Sequence, residues 1–178
     1  MDGKLRNMTS LYLTKGDSVL CLYRIGSRVA NQMYIGSAGG HFESDELNDA
    51  RKCVLREAYE ELGIREEDLL DLKMRYITLR LKNGEVRQNY YFFATLKDDI
   101  PWELPSTEGI TEWFDLSETL NLKMPFTAKY VIEHFCKYTE YCSLVFLNRS
   151  LNINIKKNCI CLSFCGIFNC HKTACIIG

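Results

Sequence analysis

Residues 39–64 read GGHFESDELNDARKCVLREAYEELGI, and the fold is decided by how this stretch is read. It opens on the pair Gly39-Gly40, turns helical in pattern from Asp45 to Leu62, and meets Gly63 where a helix C-cap is expected. At about 100° per residue, Glu57, Glu60 and Glu61 share an arc of about 100°. Val54, Leu55, Ala58 and Leu62 form the apolar stripe beside it. Such a helix buries one side and holds clustered negative charge next to it. Like charges three and four residues apart repel by about a few tenths of a kcal/mol per pair. A hard divalent cation, which takes oxygen ligands, offsets that repulsion. The alternative is a solvated acidic face with Arg56 as its ion-pair partner. The glycine pair ahead of the helix and the arginine abutting it favour the metal.

Outward from the helix, SLYLTK (10–15) and VLCLYR (19–24) read as strands joined by a Gly16-Asp17 turn. Residues 25–40 form a glycine-containing loop in which MYIG is extended. MRYITLRL (74–81) and VRQNYYFFATL (86–96) flank Asn83-Gly84, a hairpin signal. ITEWFDL (110–116) is a further short strand, and TAKYVIEHFCKY (127–138) a second amphipathic helix with Thr127 as its N-cap. Strands, helix, strands, helix imply an α/β fold, a mixed sheet with helices packed on it.

The two halves of the stretch resemble the box of the Nudix family, G-x5-E-x7-R-E-U-x-E-E-x-G-U, where U is a bulky aliphatic residue. Gly40 to Glu46 matches the first half and Arg56 to Ile64 the second, with Ala58 at the first U. The spacer departs from the pattern: nine residues, 47–55, stand where the family has seven. We read an insertion at the junction of loop and helix, with Asp45 as cap of an earlier start. This puts the role of Glu46 in question. Gly36-Ser37-Ala38 stands where many members have a proline.

The resemblance implies a Nudix-type α/β/α sandwich and a hydrolase that cuts a phosphoric anhydride by attack of water on phosphorus. It places Glu57, Glu60 and Glu61, together with Gly40, at a magnesium or manganese ion, and gives Arg56 the task of orienting a carboxylate. Glu108 is the candidate general base or extra ligand, Glu112 its alternative. Arg24, Arg28, Arg80 and Arg87 are candidates for phosphate contacts, and Tyr23, Tyr34, Tyr90 or Phe92 for stacking on a base. The implied substrate is a small nucleotide-like molecule, by default a nucleoside triphosphate. Two rivals are an isopentenyl-diphosphate isomerase, which wants a metal-binding cysteine and histidines near the box, and a non-catalytic nucleotide-binding module, which typically loses box glutamates.

The bulk numbers set the frame. A chain of 178 residues suits one α/β domain with an appendage. The net charge of −1 gives no sign of binding to a nucleic acid polymer or an anionic membrane. The first residues lack a signal-peptide core, and no apolar run approaches the roughly 18 residues that span a bilayer, so a cytoplasmic location is expected. A homodimer is compatible with the sequence. After Glu140 the composition breaks: residues 142–178 hold no Asp or Glu and only four of the 22 Lys and Arg. The body, 1–141, therefore carries 18 basic against 23 acidic residues. Of the nine cysteines, five lie at 159, 161, 165, 170 and 175. That spacing lacks paired C-x-x-C knuckles. The tail reads as a non-native or divergent extension in preference to a zinc site.

Overall fold

The computed structural model describes residues 4–26, 30–142, 159–163 and 173–176, with side chains described through residue 137. Alternation along β1 (Lys4–Lys15) sends Leu11 and Leu13 to one face of the sheet and Tyr12 to the other, and all three are fully buried. A strand buried on both faces needs cover on both. Helix α1 (Ala50–Leu62) covers the first, packing Val54, Ala58 and Leu62 against Leu11, Leu13, Phe92 and Ala94. Helix α2 (Phe126–Cys142) covers the second, packing Ala128, Val131 and Ile132 against Tyr12, Tyr91 and Phe93. The α/β/α sandwich expected from the sequence is the architecture found.

The sheet order is β3 (Met33–Ile35), β2 (Ser18–Arg24), β1, β5 (Glu85–Leu96), β4 (Leu69–Lys82), β7 (Cys159–Ser163) and β8 (Thr173–Ile176), with β6 (Gly109–Asp115) also on β2. The β1–β5 pair is parallel, from Lys4↔Glu85 to Thr14↔Thr95, and the other pairs are antiparallel. Asn83 (φ 55°) and Gly84 (φ 75°) make the two-residue turn between β4 and β5. Positive φ at both positions suits the twist of a hairpin. The tail contributes the backbone of β7 and β8; its cysteine side chains, and with them the zinc question, lie outside the described residues. No helix among the described residues is long and apolar enough to cross a membrane.

What positions the site is a splice. β1 pairs with β2 only from Leu13↔Leu20 to Lys15↔Ser18. Residues 36–42 then run antiparallel beside β1: Leu11 N–H donates to Ala38 O (2.7 Å), Thr9 N–H to Gly40 O (2.8 Å) and Phe42 N–H to Asn7 O (3.2 Å). Ser37, fully buried, joins the three segments, its Oγ accepting Leu13 N–H (2.8 Å) and donating to Leu20 O (2.7 Å). On the other edge of β2, β6 pairs from Ser18↔Asp115 to Arg24↔Gly109, which sets residue 108 beside Arg24. Lys15 is nearly buried, and its ammonium donates to the carbonyls of Lys97, Asp98 and Ile100, pinning the connection between β5 and β6.

Some expected boundaries move. β1 starts at Lys4, not Ser10, and β4 at Leu69, not Met74. Bulges between Leu70/Lys73 and Met74/Tyr76 break the period-2 pattern of β4. Helix α1 starts at Ala50, not near Asp45: Asp49 is its N-cap, accepting Lys52 N–H at 2.9 Å, while Asp45 pairs with the Lys52 ammonium. Thr127 is inside α2, because Lys129 N–H already reaches Pro125 O (3.0 Å), and its hydroxyl accepts Tyr91 O–H instead of capping.

Leu13, fully buried between sheet and α1, tests this core. Replacing it by Ala is expected to cost about 3 kcal/mol in urea unfolding. A loss below about 1 kcal/mol would place it outside a packed core.

Candidate functional site

Helix α1 begins after a pair of tight turns, Glu46 N–H to Glu43 O (3.1 Å) and Asp49 N–H to Glu46 O (2.8 Å). The second turn lies in the longer spacer, and the Glu46 side chain reaches back to the helix at Arg56. There its carboxylate, fully buried, accepts Arg56 Nε on Oε1 (2.8 Å) and Nη2 on Oε2 (2.9 Å). Arg56 goes on to donate through Nη1 to Glu57 Oε1 and Glu60 Oε2, both at 2.9 Å, and through Nη2 to His41 O at 3.0 Å. A guanidinium has five N–H donors, and here each has an oxygen acceptor. Hydrogen bonds from Arg56 hold the Glu46 carboxyl down at about 2, against the cost of its burial.

Around this hub lies a cleft of about 530 Å³. Glu57 and Glu61, four residues apart on α1, both line it. Glu61 accepts Gly39 N–H at 3.1 Å. Burial raises the Glu57 carboxyl above its ordinary value, with Arg56 opposing. Burial, then the nearby charges of Glu57 and Glu108, push Glu61 up to about 7, against the pull of the Gly39 N–H. Glu108 lines the cleft too and is ion-paired with Arg24.

The two loop glycines have distinct reasons. Gly39 has φ 148°, and a Cβ there would run into the Thr9 carbonyl and Ser10 Cα, which are backbone atoms. At Gly40 a Cβ would run into the carboxylate of Glu57. Gly40 thus makes room for the helix acid, while its carbonyl accepts Thr9 N–H.

Of the expected site residues, the cleft brings together Gly40, Arg56, Glu57, Glu61, Glu108, Arg24 and Arg87. It does not bring in Glu60, whose side chain is 54% exposed and which Arg56 holds on the outer side of the helix. Tyr34 does not line the cleft either. Its hydroxyl donates to Glu112 Oε2 (2.9 Å), and its ring packs on Tyr23 and Phe114 beside the α2 cluster. Glu112, unlike Glu108, is not among the residues that line the cleft. Phe92 is buried in the core under α1, and Arg28 lies outside the described residues. Sequence reasoning missed Arg6, Met8, Phe42 and Glu43 as lining residues. Arg6 and Met8 precede the expected start of β1, so nothing local marked them.

No group of three or more His, Cys, Asp or Glu among the described residues is assembled as a metal site. The donor chemistry nevertheless suits a hard divalent ion. One guanidinium faces the three carboxylates of Glu46, Glu57 and Glu60, Glu61 has the Gly39 N–H as its hydrogen-bond donor among the described residues, and the two carboxylates that line the cleft, Glu57 and Glu61, are destabilised as anions by burial.

Comparison with known proteins places these features in a family. A model described as the NUDIX domain matches residues 5–135. No curated protein matches the chain significantly. Among solved structures, a MutT protein from Methanosarcina mazei Go1 superposes with a TM-score of 0.62 at 20% identity, over 79% of this chain and 99% of its own. The C. elegans Ap4A hydrolase in a binary complex gives 0.61 at 16% identity, over 76% and 98%. The NUDIX domain of Shewanella oneidensis NrtR, complexed with ADP ribose, gives 0.58 at 13%, over 78% and 90%.

The glycine geometry predicts opposite outcomes at adjacent positions. Gly39→Ala should lower the melting temperature by several degrees, because backbone must move. Gly40→Ala should melt close to wild type yet displace Glu57, weakening divalent-metal binding measured by calorimetry. Equal melting of both variants would refute the distinction.

A second expectation concerns pH. The Glu46 carboxyl is depressed in the folded state, so its stabilisation is present above the unfolded carboxylate value and is lost as pH falls toward about 2. Glu46→Gln should therefore cost about 3 kcal/mol in denaturant unfolding at pH 7, and distinctly less at pH 3. A deficit that stays constant between the two would exclude the Arg56 pairing as its source.

Proposed function

This chain belongs to the NUDIX family; from that premise we propose that it is a pyrophosphohydrolase, which cleaves a nucleoside triphosphate or a related nucleotide at a diphosphate linkage, with magnesium or manganese held at helix α1. The observation that carries this reading is the division of one cleft. Carboxylates of Glu57, Glu61 and Glu108 and guanidinium groups of Arg24 and Arg87 line it together. Hydrolysing a phosphate anhydride needs both, acids for a cation and a proton, bases for phosphate oxygens.

In this reading Glu57 and Glu61 hold the ion, and Glu60 joins only if it leaves Arg56 and turns inward. Gly40 contributes by keeping Glu57 close to the loop. The bound ion would neutralise phosphate charge and polarise the phosphorus–oxygen bonds. Arg56 fixes the Glu57 carboxylate in one orientation from a buried anchor on Glu46, so no rearrangement is needed when substrate arrives. Arg24 and Arg87 bind phosphate oxygens. A water oxygen attacks phosphorus, the bond to the departing phosphate oxygen breaks, and the water proton passes to a carboxylate. Glu108 is the proposed acceptor, since it lines the cleft without belonging to the Arg56 network. The domain doing this is residues 1–141, with 142–178 appended.

An isomerase of isopentenyl diphosphate is less well supported. It wants a metal-binding cysteine, and none lines the cleft among the described residues. Cys53 is buried against Thr9, its thiol pushed up to about 12 by desolvation.

The test is a panel of nucleoside triphosphates, dinucleoside polyphosphates, ADP-ribose and nucleotide sugars with magnesium or manganese, detecting released monophosphate, pyrophosphate or phosphate. Wild type should cut at least one. Glu57→Gln and Glu61→Gln should each lower kcat by about 100-fold or more while keeping the wild-type melting curve. Unchanged turnover in both variants would remove helix α1 from the chemistry.

A further inference from the structure

The basic side of the cleft extends past Arg24 and Arg87 to a further arginine, Arg6. In the sheet register Arg6 of β1 stands opposite Arg87 of β5, and Arg87 stands opposite Arg80 of β4. Residues in register project to the same face. Three guanidinium groups therefore form a row across three neighbouring strands. The next row on that face is Lys4, Glu85 and Lys82. Five cations share the two rows with one carboxylate.

Among the described residues that carboxylate pairs with two of the five. Glu85 accepts Arg87 Nε at 2.7 Å but reaches Arg6 Nη1 only at 3.8 Å. Like charges directly opposite on adjacent strands destabilise a sheet, so the row is a standing cost unless an anion joins it. The row also abuts the helix acids. Arg6 Nε donates to the ring of His41, and the carbonyl of His41 accepts from Arg56, which orients Glu57. A single residue separates the arginine row from the guanidinium hub of α1.

We infer that the row Arg6–Arg87–Arg80 receives a phosphate of the substrate beyond the two that form the cleaved linkage, so that this enzyme selects chains of three or more phosphates over substrates with a diphosphate alone. The planar fork of a guanidinium matches phosphate oxygens in pairs, which an ammonium does not. Arg6 and Arg87 grip the extra phosphate inside the cleft, and Arg80 extends the positive row outward. The extra phosphate comes from a nucleoside triphosphate or from the bridge of a dinucleoside polyphosphate. The inference rests on the proposed hydrolase for its substrate but not for its binding chemistry.

Two measurements separate those parts. The first is calorimetric binding of inorganic tripolyphosphate and of pyrophosphate, both with magnesium. Wild type should favour tripolyphosphate by about tenfold or more, and Arg6→Gln and Arg87→Gln should each erase most of that preference. The wild-type comparison needs no variant, so a misfolded variant cannot hide the answer. The second is the ratio of kcat/KM for a nucleoside triphosphate to that for a nucleotide sugar, with a dinucleoside polyphosphate as the third arm to identify the source. The ratio should fall about tenfold in each variant, mainly through KM. Equal affinity of wild type for the two inorganic anions overturns the inference, even if hydrolysis is robust. Equal losses on every substrate overturn it as well. No turnover on any substrate, with the tripolyphosphate preference intact and lost in the variants, would sustain the row and bring down the hydrolase reading instead.

Discussion

The site depends on how closely residues 36–40 lie against β1. This is contact of backbone on backbone, and it leaves no room for a side chain at Gly36 or Gly39. A Cβ at Gly36 would stand 2.6 Å from Leu11 O, and at Gly39 it would meet Thr9 O. Because the loop is this close, Gly39 N–H reaches Glu61, Gly40 leaves space for Glu57, and His41 O accepts Arg56. Move the loop outward by the width of a methyl group and all three contacts open. Ser37 holds it in place by supplying from a side chain what the ladder between β1 and β2 lacks at the split. An unmet backbone group buried there would be costly.

The second constraint is electrostatic, and it follows from the first. Clustered acids beside a core are expensive to desolvate. Arg56 distributes one guanidinium over Glu46, Glu57 and Glu60, and its deepest partner is the fully buried Glu46. Glu46 therefore acts as an anchor for the hub. This also explains why a spacer of nine residues is tolerated. The spacer opens with the turn over 46–49, ahead of the Asp49-capped helix, and the Glu46–Arg56 contact closes across it. A spacer change inside the helix would have rotated Glu57 and Glu61 away from the cleft. One placed before the cap does not.

Local signals made much of this legible in the sequence. The helical period from Val54 to Leu62, the Gly63 stop (φ 70°), Asn83-Gly84 and the order of elements are all read over short windows. The helix start was misread because Asp45 and Asp49 are both competent caps. Only the turns at 43–49 decide between them. The site failed to be legible wherever long-range pairing sets it. Arg6 belongs to the cleft through its register with β5, some eighty residues on. Tyr34 is a sequence candidate for stacking on a base and Glu108 for the general base or an extra ligand. The β2–β3 and β2–β6 registers send Tyr34 to the α2 side and bring residue 108 beside Arg24. Glu60 shares the helical arc of Glu57 and Glu61, but an arc computed about an axis does not say which edge of it faces the cleft.

That difference between local and long-range residues bears on how far the fold speaks to substrate. The acids and their arginine come from one stretch, 46–61, and travel together whenever that stretch is kept. The basic groups come from β1, β2 and β5, and each is an ordinary surface strand position until the sheet assembles. Strand positions of this kind change with little effect on stability, so recognition is free to vary over a fixed reaction centre. The solved structures agree with that view. A MutT protein, an Ap4A hydrolase and an ADP-ribose complex share this architecture at identities of 20%, 16% and 13%. Likeness at that level carries the sandwich and is silent on the molecule cut. In this chain, substrate choice is therefore to be argued from its own strand residues, and the arginines at 6, 80 and 87, in register across three strands with Glu85 as the carboxylate that two of them share among the described residues, are where that argument starts.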